Sequence, residues 1–145
     1  MVIANLNKKS IFIDTTPLIY FIEGHSLYQP LLTLLFNGCD NGQYTFITST
    51  ITLLEVLVGP IRAGREDIVT QYQKLLTEAN GIEILEISNN ISIKAAHLRA
   101  KYNLKTPDAL QLATAIVNEA NYFLTNDLRL KNVASIEVIT LSDFV

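Results

Sequence analysis

Short apolar runs alternate along the chain with longer segments whose apolar positions recur at helical spacing. Ile11-Phe12-Ile13, Tyr44 to Ile47, Ile82 to Ile87, Tyr122-Phe123-Leu124 and Ile136 to Ile139 are brief and rich in β-branched or aromatic residues. Runs of this kind read as strands covered on both faces. Between them, Tyr28, Leu31, Leu32 and Leu35 fall on one helical stripe, as do Ile68, Tyr72, Leu75 and Ala79. Ile91, Ala95, Leu98 and Tyr102 repeat the pattern. The segment from Pro107 to Ala120 is apolar nearly all round, which predicts the most buried helix. Thr16-Pro17 and Thr106-Pro107 predict a hydroxyl N-cap followed by proline at the first helical position. Gly59-Pro60 predicts the end of a helix that starts near Ser49. Strands alternating with helices imply parallel pairing and a three-layer α/β/α sandwich. Ligands of such sheets sit at the carboxyl ends of the strands.

Composition narrows the class. The 145 residues fit one domain spanning 1–145, and 49% apolar against 17% charged residues excludes a disordered chain. Cys39 is the single cysteine, so no internal disulfide forms and a reducing compartment is expected. Lys and Arg total 11 against 14 Asp and Glu, a formal net charge of -3. That is no global nucleic-acid footprint, although a local one remains open. No run approaches the ~20 apolar residues of a membrane span, and the first residues resemble no signal peptide. A soluble, cytoplasmic protein without membrane association is expected.

Four acids stand apart. Asp14 ends the first apolar run, in IFIDTTP; Glu55 lies inside an apolar helix, in ITLLEVLVG. Asp108 is in the first turn of the helix TPDALQLATA, and Asp127 follows the fourth run, in YFLTNDLRL. Each has a structural reading: Asp14 as a helix cap, Asp108 as a dipole partner, Asp127 in an Asx-turn. Thr52 to Glu55 matches a capping box, but Ser49 or Thr50 serves equally well as the start and moves Glu55 into the helix interior. A carboxylate among Leu53, Leu54, Val56, Leu57 and Val58 is costly unless paired or bound to a cation. Asp14 and Asp127 lie at strand carboxyl ends and Asp108 at a helix amino end, and a doubly wound sheet brings those places to one rim. Two carboxylates ~4 Å apart repel by ~4 kcal/mol at an effective dielectric of 20. Such a group protonates, spreads or binds a cation, and oxygen-only ligands select Mg²⁺ or Mn²⁺ over zinc. A cation held this way suits phosphodiester hydrolysis.

The order D-T-T-P-L after a first strand, E in an apolar helix, T-P-D-A-L-x-L-A-T-A and F-L-T-N-D resembles the PIN-domain ribonucleases. It is most similar to the toxin subunits of VapBC-type toxin–antitoxin pairs, from about Ile11 to the C-terminus. The resemblance implies a PIN-like sandwich with a parallel sheet of about five strands. It implies Mg²⁺- or Mn²⁺-dependent endoribonuclease activity on RNA. The four acids of the family fall on Asp14, Glu55, Asp108 and Asp127. Asp14, Asp108 and Asp127 are then the expected metal ligands, and Glu55 completes the shell or orients water. Thr16 and Thr125 match the family's hydroxyls and are expected to hydrogen-bond a carboxylate or metal-held water. An antitoxin protein and a homodimer are the implied partners.

From Asn89 to Lys131 the basic residues are Lys94, Arg99, Lys101, Lys105, Arg129 and Lys131, against Asp108, Glu119 and Asp127. This stretch reads as a phosphate track or as a solvated face, with Arg129 and Lys105 the foremost RNA contacts. Tyr20, Phe21 and Tyr28 read as base-stacking or packing residues. His25 and His97 read as structural or surface residues, and Cys39, in a turn-like stretch, as unreactive. The Leu-rich segment Leu31 to Phe36 has more apolar positions than one buried face needs. Two alternatives stay open: a non-catalytic binding module of the same fold, and a haloacid-dehalogenase-like phosphatase. The second lacks its D-x-D general acid, because Thr16 stands at that position.

Overall fold

The computed structural model describes residues 1–145. Five strands form one parallel sheet: β1 (Ser10–Ile13), β2 (Thr45–Ser49), β3 (Ile82–Leu85), β4 (Tyr122–Thr125) and β5 (Glu137–Thr140). The order across the sheet is β3-β2-β1-β4-β5. Six helices connect them: α1 (Thr15–Glu23), α2 (Gln29–Asp40), α3 (Thr50–Arg62), α4 (Glu66–Glu78), α5 (Asn89–Tyr102) and α6 (Thr106–Val117).

Strand alternation splits the core into two layers. Ile11, Ile13, Phe46 and Leu124 face Leu18, Leu32, Leu35, Val56, Tyr72 and Leu76 of α1 to α4. Phe12, Ile47 and Phe123 face Ile91, Ala95, Leu98 and the small side chains of α6 on the other side. Phe12 and Phe123 are register partners on β1 and β4, and their rings stack at 5.1 Å. The expected three-layer sandwich is therefore what forms. Six residues of α6 are buried, among them Ala109, Leu112 and Ala113, which agrees with the all-round apolar reading. In the Leu-rich segment of α2, Leu32, Leu35 and Phe36 are buried and Leu34 is 58% exposed.

Several local expectations are corrected. Neither Thr16 nor Thr106 caps a helix. Asp14 caps α1, accepting from the Thr15 N–H, and Lys105 occupies the N-cap of α6 without a side-chain bond. The carboxylate wins at α1 because it already stands at the end of β1, one residue before the chain turns helical. The start of α3 is as expected: Ser49 caps it by accepting from the Ile51 N–H. Gly59-Pro60 does not stop α3, which runs on to Arg62 with Pro60 inside it and buried. A proline costs one intrahelical bond and crowds the carbonyl four residues back, and here burial of its ring offsets that. The turn falls at Gly64, whose φ of 68° suits glycine. Cys39 lies in the last turn of α2 rather than in a loop, and is buried.

Gly59 itself is helical, and a Cβ there meets nothing within 4 Å. Gly59→Ala is therefore expected to stabilise the protein by about 0.5–1 kcal/mol, read from the urea midpoint. An unchanged or lowered midpoint would contradict the open space.

Candidate metal-dependent active site

The strand order reverses direction at β1: β2 lies on one side of it and β4 on the other. In an open parallel sheet this switch leaves a crevice beyond the carboxyl ends of the two diverging strands. Asp14 follows β1 directly, and Thr125 ends β4. The crevice is a cavity of about 480 Å³ lined by all four singled-out acids, Asp14, Glu55, Asp108 and Asp127. Thr16, Thr125, Tyr20 and Asn126 complete much of its wall.

Each acid keeps its structural job as well. Asp14 Oδ1 accepts from the Thr15 N–H at 2.9 Å while Oδ2 accepts from Thr125 Oγ1 at 2.8 Å. Asp127 caps the short 3-10 helix Leu128–Asn132 through the Arg129 N–H, and its own N–H donates to Thr125 Oγ1 at 3.1 Å. Asp108 lies in the first turn of α6, where the macrodipole favours an anion. Glu55 is the one whose setting differs from expectation. It is exposed, on the outward side of α3 near Leu54, rather than enclosed among leucines. Its Oε1 accepts from Thr15 Oγ1 at 2.7 Å, so it guards the rim of the cavity instead of its floor.

Thr16 lines the cavity, but the hydroxyl that holds a carboxylate on this side belongs to Thr15. A buried polar chain behind Asp14 also escaped the sequence reading. Gln111, 1% exposed, donates from Nε2 to Thr52 Oγ1 at 2.5 Å and to Asp14 Oδ1 at 3.5 Å. Its Oε1 accepts from Ser49 Oγ, and Thr48 Oγ1 bonds Thr52 Oγ1 at 2.8 Å. A polar residue on the innermost face of an otherwise apolar helix was the signal available for Gln111. Every buried polar side-chain atom finds a partner.

Burial is the main influence on Asp14 and pushes its pKa up to about 6, against the pull of the Thr15 N–H, Thr125 and Gln111; nearby Asp108 adds to the rise. Asp108 is also raised, first by burial and then by Asp127. Asp127 goes the other way, because Arg129 grips it with Nε to Oδ1 at 3.0 Å and Nη2 to Oδ2 at 2.8 Å. That bidentate pair keeps Asp127 ionised. No three acidic, histidine or cysteine side chains converge into a group ready to hold a metal ion.

The long basic stretch divides by task. Arg99 is used inside the fold, donating to Leu104 O and Thr106 Oγ1, and Lys131 pairs with Asp143 at 2.8 Å. Lys105 and Arg129 both line a second cavity that shares Asp108 with the first. Tyr20, His25 and Tyr28 form an aromatic group, with Tyr20 and His25 ring centres 4.1 Å apart. His25 Nδ1 accepts from the Leu27 and Tyr28 N–H groups, a structural role as expected. Tyr20 also reaches the acid-lined cavity, where its hydroxyl accepts from Asn126 Nδ2 at 3.3 Å.

A five-stranded parallel sandwich with four acids around its switch-point crevice defines an acid-site α/β domain. The PIN-domain family model matches residues 11–136, and the chain belongs to that family. The fold is similar to VapBC2 from Rickettsia felis, solved bound to a promoter DNA fragment (TM-score 0.73, 20% identity, 90% of this chain and 98% of that one). It is similar to DNA-bound VapBC from Salmonella typhimurium (TM-score 0.72, 16% identity, 92% and 98%). A third likeness is to Mycobacterium tuberculosis VapC20, a sarcin-ricin-loop-cleaving toxin (TM-score 0.67, 11% identity, 88% and 98%). No curated protein matches the chain. No helix is long and apolar enough to cross a membrane.

Proposed function

We propose that the chain is a Mg²⁺- or Mn²⁺-dependent endoribonuclease, the toxin of a VapBC-type pair held in check by an antitoxin protein. The observation that carries this reading is the meeting of Asp14, Glu55, Asp108 and Asp127 around one crevice at the sheet's switch point. PIN membership and the fold shared with VapBC toxins support it. Membership also sets aside the haloacid-dehalogenase alternative.

The donor set fits a hard divalent cation. It is all oxygen, and one member, Asp14, is a half-buried carboxylate with no cationic partner among its bonds. Asp14, Asp108 and Asp127 would hold the ion, with Asp127 first releasing Arg129. When bound, the cation lowers the pKa of water and offsets charge on the phosphate. The chain's own groups do the rest. The Thr15 N–H, Thr125 and Gln111 anchor the carboxylate of Asp14 in the crevice wall. Glu55 at the rim accepts hydrogen bonds from water entering the site. Lys105 and Arg129 supply positive charge for the RNA backbone.

The protein partners rest on the surface of α3. Leu54 (60% exposed), Val58 and Ile61 form a stripe at helical spacing that the chain itself leaves uncovered. An antitoxin segment covering it, and a homodimer, follow the family expectation.

The second reading, a binding module without turnover, draws on the closed Asp127–Arg129 pair. One assay separates the two. Purified chain, freed of antitoxin, is incubated with end-labelled RNA in Mg²⁺ or Mn²⁺. Cleavage is expected, is abolished by EDTA, and falls by about a hundredfold in Asp108→Asn, since several kcal/mol of charge stabilisation is lost. Cleavage that survives chelation, or its absence from all RNA tried, rejects the nuclease.

A further inference from the structure

We infer that the second cavity, beside the acid-lined crevice, is a base-recognition subsite that holds the nucleotide next to the scissile phosphate. This inference rests on the ribonuclease reading and adds to it a source of sequence preference. The cavity has a volume of about 310 Å³ and adjoins the crevice through Asp108, which lines both. That size lies at the lower end of small-ligand pockets, suited to one nucleotide unit.

Its lining has the chemistry of a base site. Leu104, Leu130 and Val133 give it apolar walls for the faces of a heterocycle. Asn103 and Asn132 stand at exposed positions in the same lining, and a side-chain amide offers both a donor and an acceptor to a base edge. Lys105 and Arg129 bring positive charge to it, and Asp108 is its only acid. A phosphate at the Asp108 junction would thus lie between the two cations and the crevice, with its base in the apolar part.

The cavity is also built in advance. Arg99 clamps the loop between α5 and α6, donating from Nε to Leu104 O at 2.9 Å and from Nη1 to Thr106 Oγ1 at 3.0 Å. Asn103 takes the left-handed conformation that ends α5, with φ 55°. The opposite wall is tied to this loop by the Ala134 N–H, which donates to the Tyr102 hydroxyl at 3.2 Å. Two walls cross-linked in this way lose little freedom on binding. Arg129 lines this cavity while its guanidinium grips Asp127 of the crevice wall, so one cation touches both sites.

The test uses the full chain in EDTA, so that no cleavage occurs. Backbone amide NMR shifts are followed during titration with each nucleoside 5′-monophosphate and with ribose 5-phosphate. The mononucleotides are expected to move the amides of Asn103, Leu104, Asn132 and Val133, with affinities that differ among the bases. Ribose 5-phosphate is expected to act only near Lys105 and Arg129. Asn132→Trp, at an exposed position, fills the cavity and is expected to weaken mononucleotide binding about fivefold or more while ribose 5-phosphate binding is kept. In Mg²⁺ the same variant should cut RNA with an altered or flattened base preference beside the cleavage point. Equal shifts from ribose 5-phosphate and all four nucleotides would overturn the subsite, as would an unaltered cleavage pattern in Asn132→Trp. Base-dependent binding by a chain that cuts no RNA would instead retain the subsite and reject the nuclease.

Discussion

Asp14→Asn is expected to melt at a higher temperature than the parent protein in EDTA, and to lose about a hundredfold or more of RNA cleavage. Both effects come from one carboxylate in an unfavourable place. Burial holds Asp14 at about 6 against its ordinary 3.8. Below the lower value both folded and unfolded chains are protonated there and the acid costs nothing. Between the two values the unfolded chain gives up its proton first, so stability falls as pH rises. Above 6 the loss is complete, on the order of 3 kcal/mol. An asparagine keeps the acceptor for Thr15 and removes the charge, at the loss of the Thr125 bond to Oδ2. The gap in stability between variant and parent should therefore open from pH 4 to 6 and stay level above that, worth roughly 5–10 °C in Tm. Added Mn²⁺ should raise the Tm of the parent and leave the variant unmoved, by linkage. A variant that is less stable than the parent at pH 7.5 would show that Asp14 serves the fold more than the crevice.

The second large effect is expected at Gln111. Its amide is the sole link between α6 and the hydroxyls of Ser49 and Thr52, and it reaches Asp14 as well. Gln111→Leu conserves volume but leaves the Ser49 hydroxyl proton without its acceptor, while Thr52 keeps Thr48, a cost of about 1–3 kcal/mol. Gln111→Glu restores an acceptor for Ser49 and adds a second buried carboxyl near Asp14, so it should be worse at pH 8 than at pH 5. Denaturant midpoints at the two pH values check this. Gln111→Leu matching the parent would mean that the Ser49 hydroxyl finds another partner.

The sequence made the sheet legible because each strand is a run too apolar to face water and too short for a helix. Phe12 and Phe123 announce strands without any need of their neighbours. The crevice acids were legible for a similar reason: Asp14 and Asp127 follow such runs, and parallel strands put their carboxyl ends on one side. What stayed hidden depended on depth and competition. Glu55 sits among leucines in the sequence, yet α3 packs with Val56 inward and Glu55 outward, which only the neighbouring helices decide. Thr16 and Thr106 carry the usual cap chemistry, but Asp14 was two residues ahead of Thr16 at α1 and the hydroxyl of Thr106 went to Arg99. Pro60 is a breaker whose local cost is outweighed by burial. Gln111 and Thr52 bond only after α3 and α6 meet.

β4 is threaded directly beside β1, although more than a hundred residues separate them in the chain. During synthesis β1, β2 and β3 therefore emerge with the central seam of the sheet unfilled. The crevice gains its last wall only when residues 122–127 leave the ribosome. Until then a nascent chain lacks Thr125, Asn126 and Asp127, and its crevice is an open notch with one side missing.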